Sequence, residues 1–311
     1  MSKELHVELT NRCVLECPAC PRTTWREITK KPVNKSDLSV DSFERFLDCD
    51  AGRKVETLLL CGDYGDCIYY PDLFNFIDRF RNKKFDFRTN GSRRSKEFWT
   101  QLANVVTKDD KIVFGIDGLE DTNHLYRKNA DWSSIMTAVD IMVKSPAQVE
   151  WQTIAFSFNQ DLLQNIKTFA ESKGAKFFVI KTHRYGNDAL RPNSILVETN
   201  HEWQESFSNN DTIIIEPQCD LAKVVTSDGY YLPCDWIRNP RTFYKSDLWV
   251  NRKEWFDKMS IDKINLDQGN NLVNQWKQLV IEKAKVSSPR LDSLCKMKCR
   301  QGCIESNRIE L

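Results

Sequence analysis

The sequence predicts an α/β chain: an open partial barrel of six βα units over residues 1–200, followed by a small α+β unit over residues 201–311. Three observations lead there. Short β-branched or apolar runs alternate with amphipathic stretches at intervals of roughly 25 to 35 residues, the spacing of repeated βα units. The alternation stops after about Tyr185, where Asn187, Pro192, Asn193 and Asn200 mark a turn-rich connector. The 311 residues exceed what one core usually covers, and 41% apolar with 29% charged residues suits a folded chain.

The strands are expected at Leu5 to Leu9, Val55 to Leu60, Phe85 to Arg88, Ile112 to Ile116, Val149 to Phe156 and Phe177 to Ile180. Between them, apolar residues at three- and four-residue spacing predict helices over Val40 to Leu47, Leu73 to Arg81, Ser95 to Leu102, Trp132 to Val143 and Leu162 to Lys173. Such alternation implies a parallel sheet with right-handed crossovers and ligands at the strand C-terminal ends, and six units rather than eight leave a lateral opening. The second unit holds a strand at Ile213-Ile214-Ile215, a hairpin turning at Ser227-Asp228-Gly229, a basic aromatic stretch from Trp236 to Trp255 and a helix around Leu272 to Lys285. Its apolar content is thin, so bound metal is expected to supply part of its stability.

Charge and length exclude several classes. Lysine and arginine number 45 against 44 aspartates and glutamates, which removes the global basicity of most nucleic-acid or membrane-surface binders. No stretch approaches the roughly 18 apolar residues of a membrane span, and Met1-Ser2-Lys3-Glu4-Leu5 lacks a signal peptide's apolar run, so a cytoplasmic protein without a membrane partner is expected. Eleven cysteines, an odd number in a reducing compartment, then point to metal rather than disulfides. Cys13, Cys17 and Cys20 crowd the N-terminus, while Cys219, Cys234, Cys295, Cys299 and Cys303 lie in the last third.

Cys13-Val14-Leu15-Glu16-Cys17-Pro18-Ala19-Cys20 follows the first strand, so its three thiolates belong at the mouth of the sheet. Three such thiolates can hold three irons of a cubane cluster and leave the fourth iron open. Zinc is the alternative, but structural zinc favours a closed set of four ligands, and no histidine lies in this loop. The spacing Cys-x3-Cys-x2-Cys after the first strand resembles the radical S-adenosylmethionine (SAM) superfamily, over about the first 200 residues. The resemblance implies a 4Fe-4S cluster on Cys13, Cys17 and Cys20. In that family SAM chelates the open iron and is cleaved by one electron to methionine and a 5′-deoxyadenosyl radical that takes hydrogen from a substrate. Ala19 stands where the family often has an aromatic residue.

The family's other elements have counterparts at successive strand ends. Cys61-Gly62-Asp63-Tyr64-Gly65-Asp66 resembles the Gly-Gly-Glu loop, with Asp66 for the glutamate and Cys67 where proline is common. Glycine lets backbone approach a ligand, and a carboxylate accepts from a cationic amine, so Gly65 and Asp66 are expected at SAM. Thr89-Asn90-Gly91-Ser92 is similar to the segment near the SAM ribose, where Asn90 and Ser92 can hydrogen-bond hydroxyls. Gly115-Ile116-Asp117-Gly118 with Arg127 is similar to the SxDG-and-arginine pattern, which implies SAM contacts for Asp117 and Arg127 but lacks the serine hydroxyl at Gly115. Gln152, Asn159, Lys181 and His183 are also expected to face the mouth.

In the last third, Cys219-x9-Gly229-x4-Cys234 is a hairpin that pairs two thiolates, and Cys295-x3-Cys299-x3-Cys303 adds three more. This resembles the twitch or SPASM extension of radical SAM enzymes, and five cysteines imply the shorter form with one auxiliary 4Fe-4S cluster; a four-cysteine zinc site would use the same residues. The resemblance implies SAM as ligand, an electron donor such as flavodoxin or ferredoxin, and a nucleotide, small molecule or peptide side chain as substrate. The alternatives are a zinc-stabilised nucleic-acid or protein-binding module using the basic aromatic stretch, and a non-catalytic homologue.

Overall fold

The computed structural model describes residues 3–180, 185, 188–193, 223–233, 257–285 and 308–309. Six strands, β1 (Glu4–Val7), β2 (Thr57–Leu60), β3 (Lys84–Thr89), β4 (Lys111–Gly115), β5 (Gln148–Ile154) and β6 (Lys176–Ile180), pair in chain order and all in parallel. This is the expected open α/β barrel, each strand within a few residues of its expected place. Side chains explain where the ends differ. β5 stops at Ile154, two residues early, because the Ile154 N–H turns to the Asp117 carboxylate (2.7 Å) and the Phe156 N–H to Asn159 Oδ1 (2.7 Å).

The connecting helices are α1 (Pro21–Thr29), α2 (Val40–Leu47), α3 (Asp50–Lys54), α4 (Leu73–Arg79), α5 (Lys96–Val105), α6 (Trp132–Met142) and α7 (Leu163–Ser172). Ser95 caps α5 instead of beginning it: its hydroxyl accepts from the Phe98 N–H at 3.3 Å. Helices α1 and α3 were not expected: α1 offers only Pro21, Trp25 and Ile28 as apolar residues at helical spacing, and α3 spans five residues. Helix α1 begins with Pro21 at its first position and buries only Thr24.

Strand alternation gives the barrel two unlike faces. Leu5, Val7, Phe85, Phe87, Ile112, Phe114, Val149 and Trp151 pack under the helices in one core with Phe43, Phe76 and Phe80. Their sequence neighbours on the opposite face are largely polar: Glu8, Asp86, Arg88, Lys111, Glu150 and Gln152. Asp86 is buried and neutralised from two sides, by Arg88 Nε at 2.8 Å and Lys111 Nζ at 2.6 Å. Parallel sheets usually bury apolar side chains on both faces, so a polar inner face marks a barrel that encloses a ligand.

Beyond residue 200, the described residues extend the barrel's own sheet. The hairpin of β7 (Val224–Val225) and β8 (Tyr231–Leu232) forms as expected, with Gly229 at φ 82° in its turn. However, β7 pairs in parallel with β1, opposite His6 and Val7, and β9 (Arg308–Ile309) closes the other edge antiparallel to β6. Helix α8 (Leu266–Lys285) starts six residues before the expected Leu272, where Asn265 and Gln268 cap each other reciprocally at 2.9 and 3.0 Å. Gly269 lets it lie against the Tyr231 ring, because a Cβ there would fall 2.5 Å from Cδ1. The Ile213–Ile215 strand, the Trp236–Trp255 stretch, Lys181, His183 and the cysteines at 219, 234, 295, 299 and 303 lie outside the described residues. No helix among the described residues is long and apolar enough to cross a membrane.

Candidate active site

The loop from β1 to α1 carries Cys13, Cys17 and Cys20, and contacts from every side fix its path. At its entry, Asn11 exchanges hydrogen bonds with Ser36 (Asn11 N–H to O, 3.2 Å; Ser36 N–H to Oδ1, 3.0 Å). At its exit, the Cys20 N–H closes a turn onto the Cys17 carbonyl at 3.1 Å before Pro21 opens α1. Arg22, one residue into that helix, reaches back and donates to the carbonyls of Cys13 (2.6 Å) and Leu15. The Glu16 N–H donates to Lys128 O at 3.1 Å, strapping the loop to the turn after β4. Removing Arg22 therefore frees two carbonyls and one wall of the loop. Arg22→Ala is expected to cost about 2 kcal/mol, read as a drop in the denaturation midpoint.

The loop after β2 docks onto this one through its backbone. Buried Glu8, one residue beyond β1, accepts from the N–H groups of Asp63 and Tyr64 with Oε1, at 2.5 and 3.3 Å. The Asp66 N–H donates to Arg12 O at 2.9 Å. Gly65 is required for this approach, since a Cβ there would lie 1.9 Å from Thr10 O. Asp66 is then buried, with Oδ1 accepting from Ile68 N–H (3.2 Å) and Oδ2 from Asn90 N–H (2.7 Å), Thr89 Oγ1 (3.1 Å) and Asn90 Nδ2. Burial pushes its carboxyl up to about 6 in spite of those donors.

Asn90 links this carboxylate to the cysteine loop, because its Nδ2 also lies 3.6 Å from Cys13 Sγ. The Leu15 N–H approaches the same sulfur at 3.5 Å, and Cys20 Sγ lies 3.6 Å from Asp63 O. Ser92 sits behind Asn90, fully buried, with Oγ accepting from the Asp131 N–H at 2.8 Å, so its hydroxyl orders the start of α6.

A second cluster stands at Cys17. Asp117 is fully buried; Oδ2 accepts from Arg127 Nε at 2.6 Å and Oδ1 from the Ile154 N–H. The guanidinium charge also favours the thiolate form of Cys17, against the effect of burial. Burial works against the Arg127 cation, but Asp117 and Cys17 more than offset it, so its pKa rises and it stays charged. Gly115 explains the missing serine: a Cβ there would stand 2.9 Å from Arg127 Nη2, in the space the guanidinium uses. Asn159 does not face the mouth; it is fully buried, donating to Asp117 O (2.7 Å) and Ile154 O (2.9 Å).

Thus Asp66 and Asn90 are brought to Cys13, Gly65 to Thr10 and Asn11 at the loop's entry, Asp117 and Arg127 to the side of Cys17, and Ser92 one layer behind. Sequence reasoning missed Glu8 and the roles of Arg22 and Gly115. Glu8 was legible as a carboxylate inside an apolar strand; the other two depend on contacts distant in the chain.

The donor set suits an iron–sulfur group. Burial pushes the thiols of Cys13 and Cys17 up to about 12 and about 11, so a metal must displace their protons, as thiolate ligation requires. N–H groups of Leu15 and Asn90 face the Cys13 sulfur, the kind of donor that tunes such clusters. Among the described residues, no three His, Cys, Asp or Glu side chains converge on a single ion. A cubane instead offers each thiolate its own iron.

No protein-family model matches the chain. It is 27% identical over 120 residues to the tungsten-containing aldehyde ferredoxin oxidoreductase cofactor-modifying protein of Pyrococcus furiosus. That match covers 38% of this chain and 31% of the relative, so the chain spans about a third of that relative's length. Among solved structures it resembles Streptococcus suis SuiB bound to S-adenosylmethionine, with TM-score 0.55 and 15% identity over 83% of this chain and 66% of that one. It also resembles anSMEcpe with bound AdoMet and Cp18Cys peptide, at TM-score 0.56 and 13% identity over 94% and 88% of the two chains. BtrN in complex with AdoMet and 2-DOIA matches at TM-score 0.51 and 13% identity, over 99% of this chain and 96% of BtrN. The chain therefore shares the fold of SuiB, anSMEcpe and BtrN, whose solved structures hold S-adenosylmethionine.

Proposed function

We propose that this chain is a radical SAM enzyme that cleaves SAM reductively and abstracts hydrogen from a substrate. The observation that carries this is the joining of the cysteine loop to the strand ends: Cys13 through Asn90 to Asp66, with Arg127, ion-paired to Asp117, favouring the Cys17 thiolate by its charge. The thiolates of Cys13, Cys17 and Cys20 would hold a 4Fe-4S group, which supplies the electron that breaks the sulfonium bond. Gly65, Asp66, Asn90, Ser92, Asp117 and Arg127 would form the SAM wall. Asp66 acts there as a joint, because its oxygens are already engaged by Ile68, Thr89 and Asn90. Arg127, aligned by Asp117, keeps guanidinium donors beyond its Nε for the methionine carboxylate.

In this reading residues 1–200 form the SAM-binding unit and 201–311 a twitch/SPASM-like unit. Cys219, Cys234 and two of Cys295, Cys299 and Cys303 would hold an auxiliary 4Fe-4S cluster for electron transfer or substrate anchoring. The substrate is a nucleotide, a small molecule or a peptide side chain; anSMEcpe carries a peptide and BtrN carries 2-DOIA. Placement in the cytoplasm, with a flavodoxin- or ferredoxin-type donor, completes the proposal. Protein purified without oxygen is expected to be brown, to absorb broadly near 400 nm and to hold about eight irons per chain. Incubation with SAM and dithionite is expected to release 5′-deoxyadenosine. Colourless protein with stoichiometric zinc, or brown protein that leaves SAM intact, overturns it.

A further inference from the structure

Among the described residues, Arg22 carries a charge that no carboxylate answers. Its guanidinium spans the cysteine loop, with Nη1 on the Cys13 carbonyl at 2.6 Å and Nη2 on that of Leu15. Both acceptors are neutral, and Nε is buried with no hydrogen-bond partner. Glu16, the acid between Cys13 and Cys17, is taken instead by Arg26 at 2.8 Å. By contrast, Arg81, Arg88 and Arg127 each hold a buried aspartate: Asp110, Asp86 and Asp117. A partly buried cation without a counter-ion is costly, so a negatively charged partner belongs beside this loop. The start of α1 adds to the imbalance. It has neither a side-chain cap nor an acid in its first turn, whereas α2, α3 and α5 each have both. Its positive end therefore stands uncompensated at Cys20, its N-cap. The Arg22 charge already acts on the thiols, favouring ionised Cys13 against the burial and the Asp66 charge that push it up to about 12.

We propose that Arg22, backed by the N-terminal end of α1, is the counter-charge of the iron–sulfur group and raises its reduction potential. The inference rests on the reading that Cys13, Cys17 and Cys20 hold such a group. Held by three thiolates, the group is anionic, and the single electron taken from the reductant adds to that charge while no atom is transferred. A cation fixed nearby in a low dielectric therefore favours the reduced state over the oxidised one. Arg22 thus serves twice: its donors hold the path of the loop, and its charge sets how readily the electron arrives.

The test is a redox titration of the iron–sulfur-loaded chain without oxygen, poised with dithionite and followed by electron paramagnetic resonance. The signal followed is the one lost when Cys13, Cys17 and Cys20 are replaced by alanine. Arg22→Gln keeps an amide donor but removes the charge, and is expected to lower the reduced-to-oxidised ratio at a fixed poise about tenfold, a fall of about 59 mV. Arg22→Lys keeps the charge without the fork and stays near wild type. Lys30→Gln, exposed beyond the far end of α1, leaves the potential unchanged because solvent screens that charge. Val33→Glu places a carboxylate in the groove that Arg22 also lines, with Arg22 itself intact, and lowers the potential in the same direction. The sign separates charge from architecture. Loss of a merely structural Arg22 would open the loop to water, which favours the more highly charged reduced state and so raises the potential. An unchanged or raised potential in Arg22→Gln, or in Val33→Glu where Arg22→Gln does not load iron, overturns the inference while the signal itself keeps the cluster reading. Absence of that signal from wild type removes both.

Discussion

Replacing Cys13, Cys17 and Cys20 together with alanine is expected to abolish SAM cleavage and to remove about four of about eight irons while the chain stays folded. The loop's path does not depend on its sulfurs: Arg22 to the carbonyls of Cys13 and Leu15, Glu16 N–H to Lys128 and Asp66 N–H to Arg12 hold it by backbone contacts. The loss should therefore be one of ligation, with circular dichroism unchanged and 5′-deoxyadenosine at the level of a blank. Among the three, Cys17 carries most packing, being buried against Leu15, Tyr126 and Phe156, so a single Cys17→Ala is expected to lower stability more than Cys20→Ala. Iron content and SAM turnover that survive the triple replacement would remove the assignment of this loop.

Asp117→Ala is expected to cost about 3–5 kcal/mol, read as a drop in the denaturation midpoint, because it strands the buried Arg127 cation. The same change frees the Ile154 N–H at the end of β5, so loss of local order adds to loss of charge balance. Combining it with Arg127→Ala should recover part of the stability, since no unpaired charge then remains. Gly115→Ser gives an independent check. Its Cβ would meet Arg127 Nη2 at 2.9 Å, so the guanidinium must shift, and SAM affinity is expected to fall although the more usual serine has been restored. Full additivity of Asp117→Ala and Arg127→Ala would show that the two side chains do not act as a pair.

Much of this architecture was legible from local chemistry. The period-two alternation in Phe85-Asp86-Phe87-Arg88 announces a strand with one apolar and one polar face, and helix α2 was bounded correctly because Phe43, Phe46 and Leu47 form an unbroken stripe. Helix α1 was not read, although Pro21 was an available start signal and Trp25 and Ile28 stand at helical spacing, because the helix is short and largely polar. The early start of α8 was also written locally, in the capping pair Asn265 and Gln268, but Gly269, Asn270 and Asn271 resemble a turn until Tyr231 is seen to fill the glycine's space.

By itself, the sequence determined the alternation of strands and helices, the position of three thiols after the first strand, and the polar residues that end the second, third and fourth. These follow from periodicity and from loops lying where strands stop, which are properties of neighbouring residues. Only the tertiary structure decided that β7 joins β1 across more than two hundred residues, that Asn90 bridges Asp66 to Cys13, and that Gly115 exists to admit Arg127. Such pairings depend on the distance between atoms remote in the chain, and chain order carries no record of that distance until the sheet has brought the strand ends together.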